Sequence, residues 1–186
     1  WTAKDGTTWT IPRIVEMEAA QDLNSSACGG THRMYGLAIA LDRHRATGGS
    51  IEADSAWQKA QQKIQDAVDA AREFQQPDGS LSTNYFARAA SSADIALRIS
   101  TTGHALEFLT VALDDKQLQE PWVTRAAVHL LECFEKTEKF DLECGSLYHA
   151  AHGLKLYRQR RFGNPDAPPE TSPAKSAAVD PDARQS

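Results

Sequence analysis

Three histidines, His32, His104 and His149, recur in similar surroundings and are the residues of this sequence best suited to chemistry. Each follows small or hydroxyl residues and precedes an apolar run. Segments 31–41 and 103–113 align without a gap and place His32 on His104, and segment 148–156 aligns with both. A histidine exchanges protons near neutral pH and, when neutral, binds transition metals. The repeat predicts a common site where the three side chains meet.

Glu107 is the carboxylate that best suits this set, because it lies three residues after His104 and therefore on the same helical face. A histidine beside a carboxylate can act as a general acid–base catalyst on a sugar or a similar polyol. We therefore predict His32, His104, Glu107 and His149 as catalytic residues. Since Glu107 sits in an otherwise apolar run, we expect it to be buried and hydrogen-bonded.

The same residues allow two other interpretations. The three histidines could hold a zinc ion with an open coordination position, or they could simply satisfy backbone groups at the ends of turns. Tyr35 and His152 each follow an aligned histidine by three residues and are predicted to line the same pocket. No cofactor is predicted. The three cysteines have neither metal-site nor redox spacing and are interpreted as small buried hydrophobes: Cys28, Cys133 and Cys144.

The histidines lie at the starts of three segments predicted to be buried inner helices, and amphipathic outer helices alternate with them. Segment 104–113 is apolar on almost every side, which is typical of a helix buried by several neighbours. Segments 57–74 and 121–134 each carry one apolar stripe and one polar face. Residues 85–99 are predicted to be mostly loop. The chain therefore predicts an all-α fold of about three outer and inner helix pairs, which bury their faces by stacking.

The turn Gln75-Gln76-Pro77-Asp78-Gly79-Ser80-Leu81 is similar to the Gln-x-x-Asp-Gly-Ser-aromatic turn of the α/α toroids, the terpene cyclases and protein prenyltransferase β subunits. Leu147-Tyr148-His149, followed by Gly153-Leu154, resembles the helix that carries a zinc-binding histidine in those transferases. The resemblance covers residues 11–162 and implies an α/α toroid. The Asp-x-Asp-Asp motif of the cyclases and the Asp-x-Cys motif of the transferases do not occur, so the resemblance implies the fold rather than either chemistry.

A second resemblance agrees on an α/α barrel and implies a different reaction. The segment Thr102-Gly103-His104-Ala105-Leu106-Glu107-Phe108 is similar to the Pro-Gly-His-x-x-Glu-aromatic motif of N-acylglucosamine 2-epimerase-type enzymes. In those enzymes, such a histidine serves in proton transfer. The sequence therefore leaves three functions open: a toroid with a ligand or catalytic pocket, a sugar epimerase or isomerase, and a non-catalytic helical-repeat module.

Composition limits the partners and the domain organisation. The net charge of −5 and the lack of a basic patch argue against nucleic acid, and no apolar run is long enough to span a membrane. Residues 1–162 are predicted to form one domain, and residues 163–186, which hold five of the eight prolines, a disordered tail. Three pairs are only half of a closed toroid. We therefore expect a carboxyl-terminal part of a larger barrel, with a small-molecule ligand and the preceding part of the chain as partners.

Overall fold

The computed structural model describes residues 1–23 and 26–163, and these residues form an all-helical fold. The described residues contain no strand, only an isolated antiparallel bridge between Thr2 and Thr8. The six α-helices are Ile11–Ala19 (α1), Thr31–Ala46 (α2), Ala56–Glu73 (α3), Ile95–Ala112 (α4), Pro121–Thr137 (α5) and Cys144–Phe162 (α6). None of these helices is both long and apolar enough to cross a lipid bilayer. The predicted tail falls, apart from Gly163, outside the described residues.

Helix α4 is the centre of the fold, with α2, α5 and α6 packed against it. Every residue from Thr101 to Thr110 is buried, which confirms the prediction for this segment. The other two inner helices are not surrounded in this way. Helix α2 buries one face, and α6 buries only Ala150, Gly153 and Tyr157. The prediction of three fully buried inner helices is therefore wrong for α2 and α6.

Helix α4 is also longer than predicted, because it begins at Ile95 rather than at His104 and includes residues 95–99 of the predicted loop. The Asp94 side chain accepts hydrogen bonds from the N–H groups of Ala96 and Leu97 and so starts the helix one turn before the expected hydroxyl-rich segment. The hydroxyl of Thr101 donates to the carbonyl of Leu97 at 3.0 Å, and that of Thr102 accepts from the N–H of Leu81 at 3.1 Å. Residues that favour a turn are thus satisfied inside a helix.

Small residues allow α4 and α6 to approach very closely. A Cβ atom at Gly103 would lie 2.6 Å from the Cα atom of Ala150, and one at Gly153 would lie 3.0 Å from the backbone nitrogen of Glu107. Further along the same two helices, Arg160 donates to the carbonyls of Thr110 and Leu113. Since residue numbers rise together across the contact, α4 and α6 run parallel, and α5 returns the chain between them.

The Pro-Asp-Gly-Ser turn ties the end of α3 to α4 and α5. Asp78 accepts from the Ser80 hydroxyl at 2.7 Å and from Arg98 of α4 at 3.0 Å. His129 of α5 bonds to the Asp78 carbonyl at 3.1 Å. Gly79 has φ +88°, and a Cβ atom there would lie 2.6 Å from the Arg125 carbonyl oxygen. The turn therefore joins three helices and needs glycine at this position.

The first prediction concerns the contact between α4 and α6. Gly103→Ala should lower the free energy of unfolding by about 1 to 3 kcal/mol, because the added methyl group meets backbone atoms that cannot rotate away. Gly36→Ala is the matched control, since Gly36 is an exposed α2 residue with open space around its Cα. The control should stabilise the fold by up to about 1 kcal/mol. Urea unfolding measures both, and an equal change in the two variants would contradict this packing.

The second prediction concerns acid stability. Partial burial alone would raise the pKa of Asp78, but hydrogen bonds from Ser80 and the nearby His129 and Arg98 side chains lower it below its ordinary value. A carboxylate with a lowered pKa adds stability above its ordinary pKa of about 4, and that stability is lost as the pH falls. Asp78→Asn should therefore lose less stability than the natural protein between about pH 6 and about pH 3.5, by less than about 1 kcal/mol because the side chain is half exposed. If urea unfolding shows the same dependence of the unfolding free energy on pH for both proteins, this role of Asp78 is contradicted.

Candidate functional site

The three repeated histidines meet at one place in the structure. The ring centroids of His104 and His149 lie 3.9 Å apart, and His32 lies 5.2 Å from the first and 4.9 Å from the second. Only His32 is at the start of its helix; His104 lies in the middle of α4 and His149 in the second turn of α6. The expectation that all three begin inner helices is therefore wrong for His104 and His149. The rings meet because the parallel helices are offset along their axes.

Glu107 is buried beside these rings and accepts hydrogen bonds from two histidines of α6. Its side chain receives His149 Nδ1 at 2.8 Å and His152 Nδ1 at 2.5 Å, and the residue is 7% exposed. The prediction that Glu107 is buried and bonded to a histidine is confirmed. Because His149 and His152 are three residues apart on one helix, a single carboxylate receives both. The close approach of α4 and α6 at Gly103 and Gly153 brings the Glu107 carboxylate within hydrogen-bonding distance of both histidines.

These hydrogen bonds fix which ring nitrogens remain free. A carboxylate and a carbonyl can only accept, so the Nδ1 atoms of His149 and His152 carry the protons shared with Glu107. His104 Nδ1 donates in the same way to the backbone carbonyl of Ser100 at 2.7 Å. In the neutral form of such a ring, the Nε2 atom keeps its lone pair. A lone pair in a fixed direction can accept a proton or bind a metal ion.

Burial sets the electrostatics of the cluster. Burial lowers the pKa of His104, and the neighbouring His149 and His32 lower it further against the opposing effects of Ser100 and Glu107. The ring is therefore neutral near pH 7. Burial and the negative charge of Glu107 raise the pKa of Tyr35, so its phenol stays protonated and can donate a hydrogen bond. Tyr35, which is predicted to line the pocket, therefore lies close enough to Glu107 for the carboxylate charge to affect its phenol.

The site opens to solvent along α6. The side chain of His152 is 30% exposed, although its Nδ1 atom is bonded to the buried carboxylate. Tyr148 is 59% exposed, and its ring stacks on that of His152 with centroids 5.6 Å apart and an interplanar angle of 18°. The exposed part of the His152 side chain therefore lies next to a flat aromatic surface.

Cys28 is the residue at this site that sequence reasoning missed. Its Sγ atom and ring nitrogens of His32 and His104 all lie within 4.8 Å of one another. Cys28 is partly buried and Cys144 exposed, so the interpretation of all three cysteines as buried hydrophobes holds only for Cys133. The signal was local: Cys28 precedes His32 by four residues, with Gly29 and Gly30 between them.

Comparison of the chain with protein-family models, curated protein sequences and solved structures finds no match. Catalytic roles for His32, His104, Glu107 and His149, and the resemblances to toroid and epimerase families, therefore stay predictions. Any function assigned to the site has to be argued from its geometry.

The third prediction concerns the buried carboxylate. Glu107→Gln keeps the shape but replaces one acceptor oxygen by a donor, so one of the two histidines loses its partner. We expect the free energy of unfolding to fall by about 1 to 3 kcal/mol. Glu132→Gln, at an exposed i,i+4 pair with Lys136 on α5, is the matched control and should change it by less than about 0.5 kcal/mol. Urea unfolding measures the free energy of unfolding of both variants. Equal losses in the two would contradict a stabilising role for Glu107.

Proposed function

We propose that this chain is an α/α toroid-type domain that binds a small polar molecule at the histidine cluster and transfers protons on it. A sugar or a related hydroxycarbonyl compound is the substrate class. The single observation that carries the proposal is the buried Glu107 carboxylate, which fixes the Nδ1 atoms of His149 and His152. The toroid is supported by the alternation of helices: α4 and α6 are parallel, and α5 connects them and packs against both.

His152 is the proton-transfer residue of this proposal. A carboxylate that accepts from Nδ1 holds the imidazole in one tautomer and stabilises the cation that forms when Nε2 takes a proton. Glu107 supplies that carboxylate, and the partial exposure of His152 gives a substrate access to Nε2. Glu107 itself is too buried to touch a substrate, so it is a positioning residue. An oriented base of this kind contributes about 10²- to 10⁴-fold to a rate.

The aromatic residues around the pair suit a hydroxycarbonyl substrate. Tyr35 keeps its proton, because burial and Glu107 raise its pKa, and it can donate a hydrogen bond to a substrate oxygen. Tyr148 offers an exposed ring beside His152. The resemblance of segment 102–108 to the sugar epimerase motif supports the same substrate class. Removal of a proton next to a carbonyl, with return of a proton from solvent, is the reaction that this set of groups suits.

The fourth prediction tests this function without knowledge of the product. In D2O, the protein should catalyse incorporation of deuterium at the carbon next to the carbonyl in at least one member of a panel of aldoses, ketoses and N-acyl hexosamines. Mass spectrometry or proton NMR measures the exchange. His152→Gln and Glu107→Gln should each slow it by at least about tenfold, because the first removes the base and the second its orientation.

His44→Gln is the matched control for the histidine variant. His44 lies twelve residues after His32 on α2, about 18 Å along the helix, and stacks on Trp57 rather than on any residue of the site. It should leave the exchange rate unchanged. Absence of exchange above the buffer rate across the whole panel, or an unchanged rate in His152→Gln, would contradict the proposed function. A scaffold role predicts the first of these results together with a normal fold.

A further inference from the structure

We infer that Cys28, His32 and His104 bind a divalent transition-metal ion of the zinc class, with a fourth position open to water or a small ligand. This metal site uses different atoms from the proposed proton transfer and does not depend on it. Helix α2 and the turn before it supply Cys28 and His32, and the buried helix α4 supplies His104. The site joins the two helices at the histidine end of the fold.

The spacing of the ligand atoms is close to that of a bound ion. One sulfur and two ring nitrogens lie within 4.8 Å of one another. A tetrahedral zinc ion, with bonds of about 2.0 to 2.3 Å, keeps its ligand atoms roughly 3.3 to 3.7 Å apart. Closure onto an ion therefore needs the ligand atoms to move closer by about 1 Å. The ligand atoms also come from two separate segments of the chain, which local sequence alone does not bring together.

The surroundings of His104 match those of a metal ligand. Metal-binding histidines almost always donate the other ring N–H to a carbonyl or carboxylate, which fixes the ring and the tautomer. His104 donates from Nδ1 to the carbonyl oxygen of Ser100 at 2.7 Å. This leaves the Nε2 atom free to bind the ion. The ring is 6% exposed.

The backbone around Cys28 is held in a conformation that L-residues rarely adopt. Cys28, Gly29 and Gly30 have φ values of 50°, 58° and 80°. For a residue with a Cβ atom, the left-handed region costs roughly 1 to 2 kcal/mol. The Thr31 hydroxyl, which donates to the Cys28 carbonyl at 2.9 Å, holds the turn. Such conformations persist where the surroundings enforce them, and they cluster at functional sites. Here the turn brings Cys28 next to the histidines.

The glycines of this turn leave no room for other residues. A Cβ atom at Gly29 would lie 2.4 Å from the ring of Tyr85, and one at Gly30 would lie 2.7 Å from the side chain of Leu23. Tyr85 thereby covers the cysteine side of the cluster. The sulfur is shielded on this side.

The open coordination position of the proposed ion lies on the side of His149. Its ring lies 3.9 Å from that of His104 and 4.9 Å from that of His32, and its Nδ1 atom is held by Glu107. A water molecule or ligand oxygen on the ion would therefore face the α6 side of the site, where His152 is exposed. Three protein ligands and one open position are typical of catalytic rather than structural zinc sites.

The ligand set also selects the class of ion. One thiolate and two imidazoles favour zinc and its neighbours in the first transition row, whereas magnesium and calcium prefer oxygen ligands. On binding, the Cys28 thiol loses its proton to solvent and the sulfur forms the bond to the ion, so charge and atoms balance without any other reactant. Magnesium is therefore expected not to compete.

The fifth prediction is tested with the full chain, stripped of metal by a chelator and titrated with cobalt(II). The protein should bind one equivalent and develop both the visible bands of tetrahedral cobalt and an intense near-ultraviolet band from the cobalt–thiolate bond. Zinc should displace the cobalt, and magnesium should not. Cys28→Ser should lose the thiolate band, and His104→Gln should weaken cobalt binding by at least about tenfold.

Cys144→Ser and His44→Gln are the matched controls, because Cys144 is an exposed cysteine outside the cluster and His44 lies at the far end of α2. Both should bind cobalt as the natural protein does. Circular dichroism of each variant shows whether it is folded. A second measurement needs no variant: zinc should protect Cys28 from thiol labelling, as read by peptide mass spectrometry, and a chelator should restore the labelling.

The metal site is overturned if no thiolate band appears, if the band persists in Cys28→Ser, or if Cys28 labels equally with and without zinc. Glu107→Gln and His152→Gln separate metal binding from the proposed function. Both variants should keep the thiolate band while they lose deuterium exchange. Loss of exchange without loss of cobalt binding concerns proton transfer alone, and loss of the thiolate band in Cys28→Ser concerns the metal site alone.

Discussion

The contact between α4 and α6 is the constraint on which the rest of the structure depends. At Gly103 and Gly153 the two helices approach so closely that a Cβ atom on either would meet the backbone of the other. Glycine in a helix costs about 1 kcal/mol relative to alanine, and the close approach offsets this by covering one more face of α4 and by making polar contacts possible. Only at this separation can the short side chain of Glu107 reach both His149 and His152.

A helix buried on all sides must satisfy its own polar groups, and α4 carries several. Thr101 and Thr110 return their hydroxyl hydrogen bonds to carbonyls of the same helix, whereas Glu107 uses its neighbour α6. Arg160 covers the carbonyls at the end of α4. A buried carboxylate without partners would cost several kcal/mol. The two histidines of α6 therefore stabilise the fold and orient the site through the same hydrogen bonds.

His149 lies between the two halves of the site. On one side its Nδ1 atom donates to Glu107, and on the other its ring packs against His104 and His32. The proposed proton-transfer residues Glu107 and His152 and the Cys28 cluster therefore lie on either side of His149. The two proposals are compatible, although each is tested by itself.

The sequence by itself determined the all-α class, the approximate place of each helix and most of the residues that meet at the site. Those conclusions rest on local properties: the period of the apolar residues, the prolines at the starts of α1 and α5, and the recurrence of histidine in one setting. Burial of Glu107 also followed locally, since its neighbours in the chain are apolar.

The remaining features of α4 and of the site depend on contacts between residues that are distant in the chain. The first turns of α4 are supported by a contact with Leu81, which lies far along the chain and helps to outweigh the weak helix preference of the hydroxyl residues. The Asp94 cap, by contrast, is a local signal that the loop prediction overlooked. Cys28 joined the site because three successive left-handed residues turn it toward α4. The ring of Tyr85, which lies far along the chain, packs close to Gly29 in this turn, and the sequence around Cys28 carries no record of that contact.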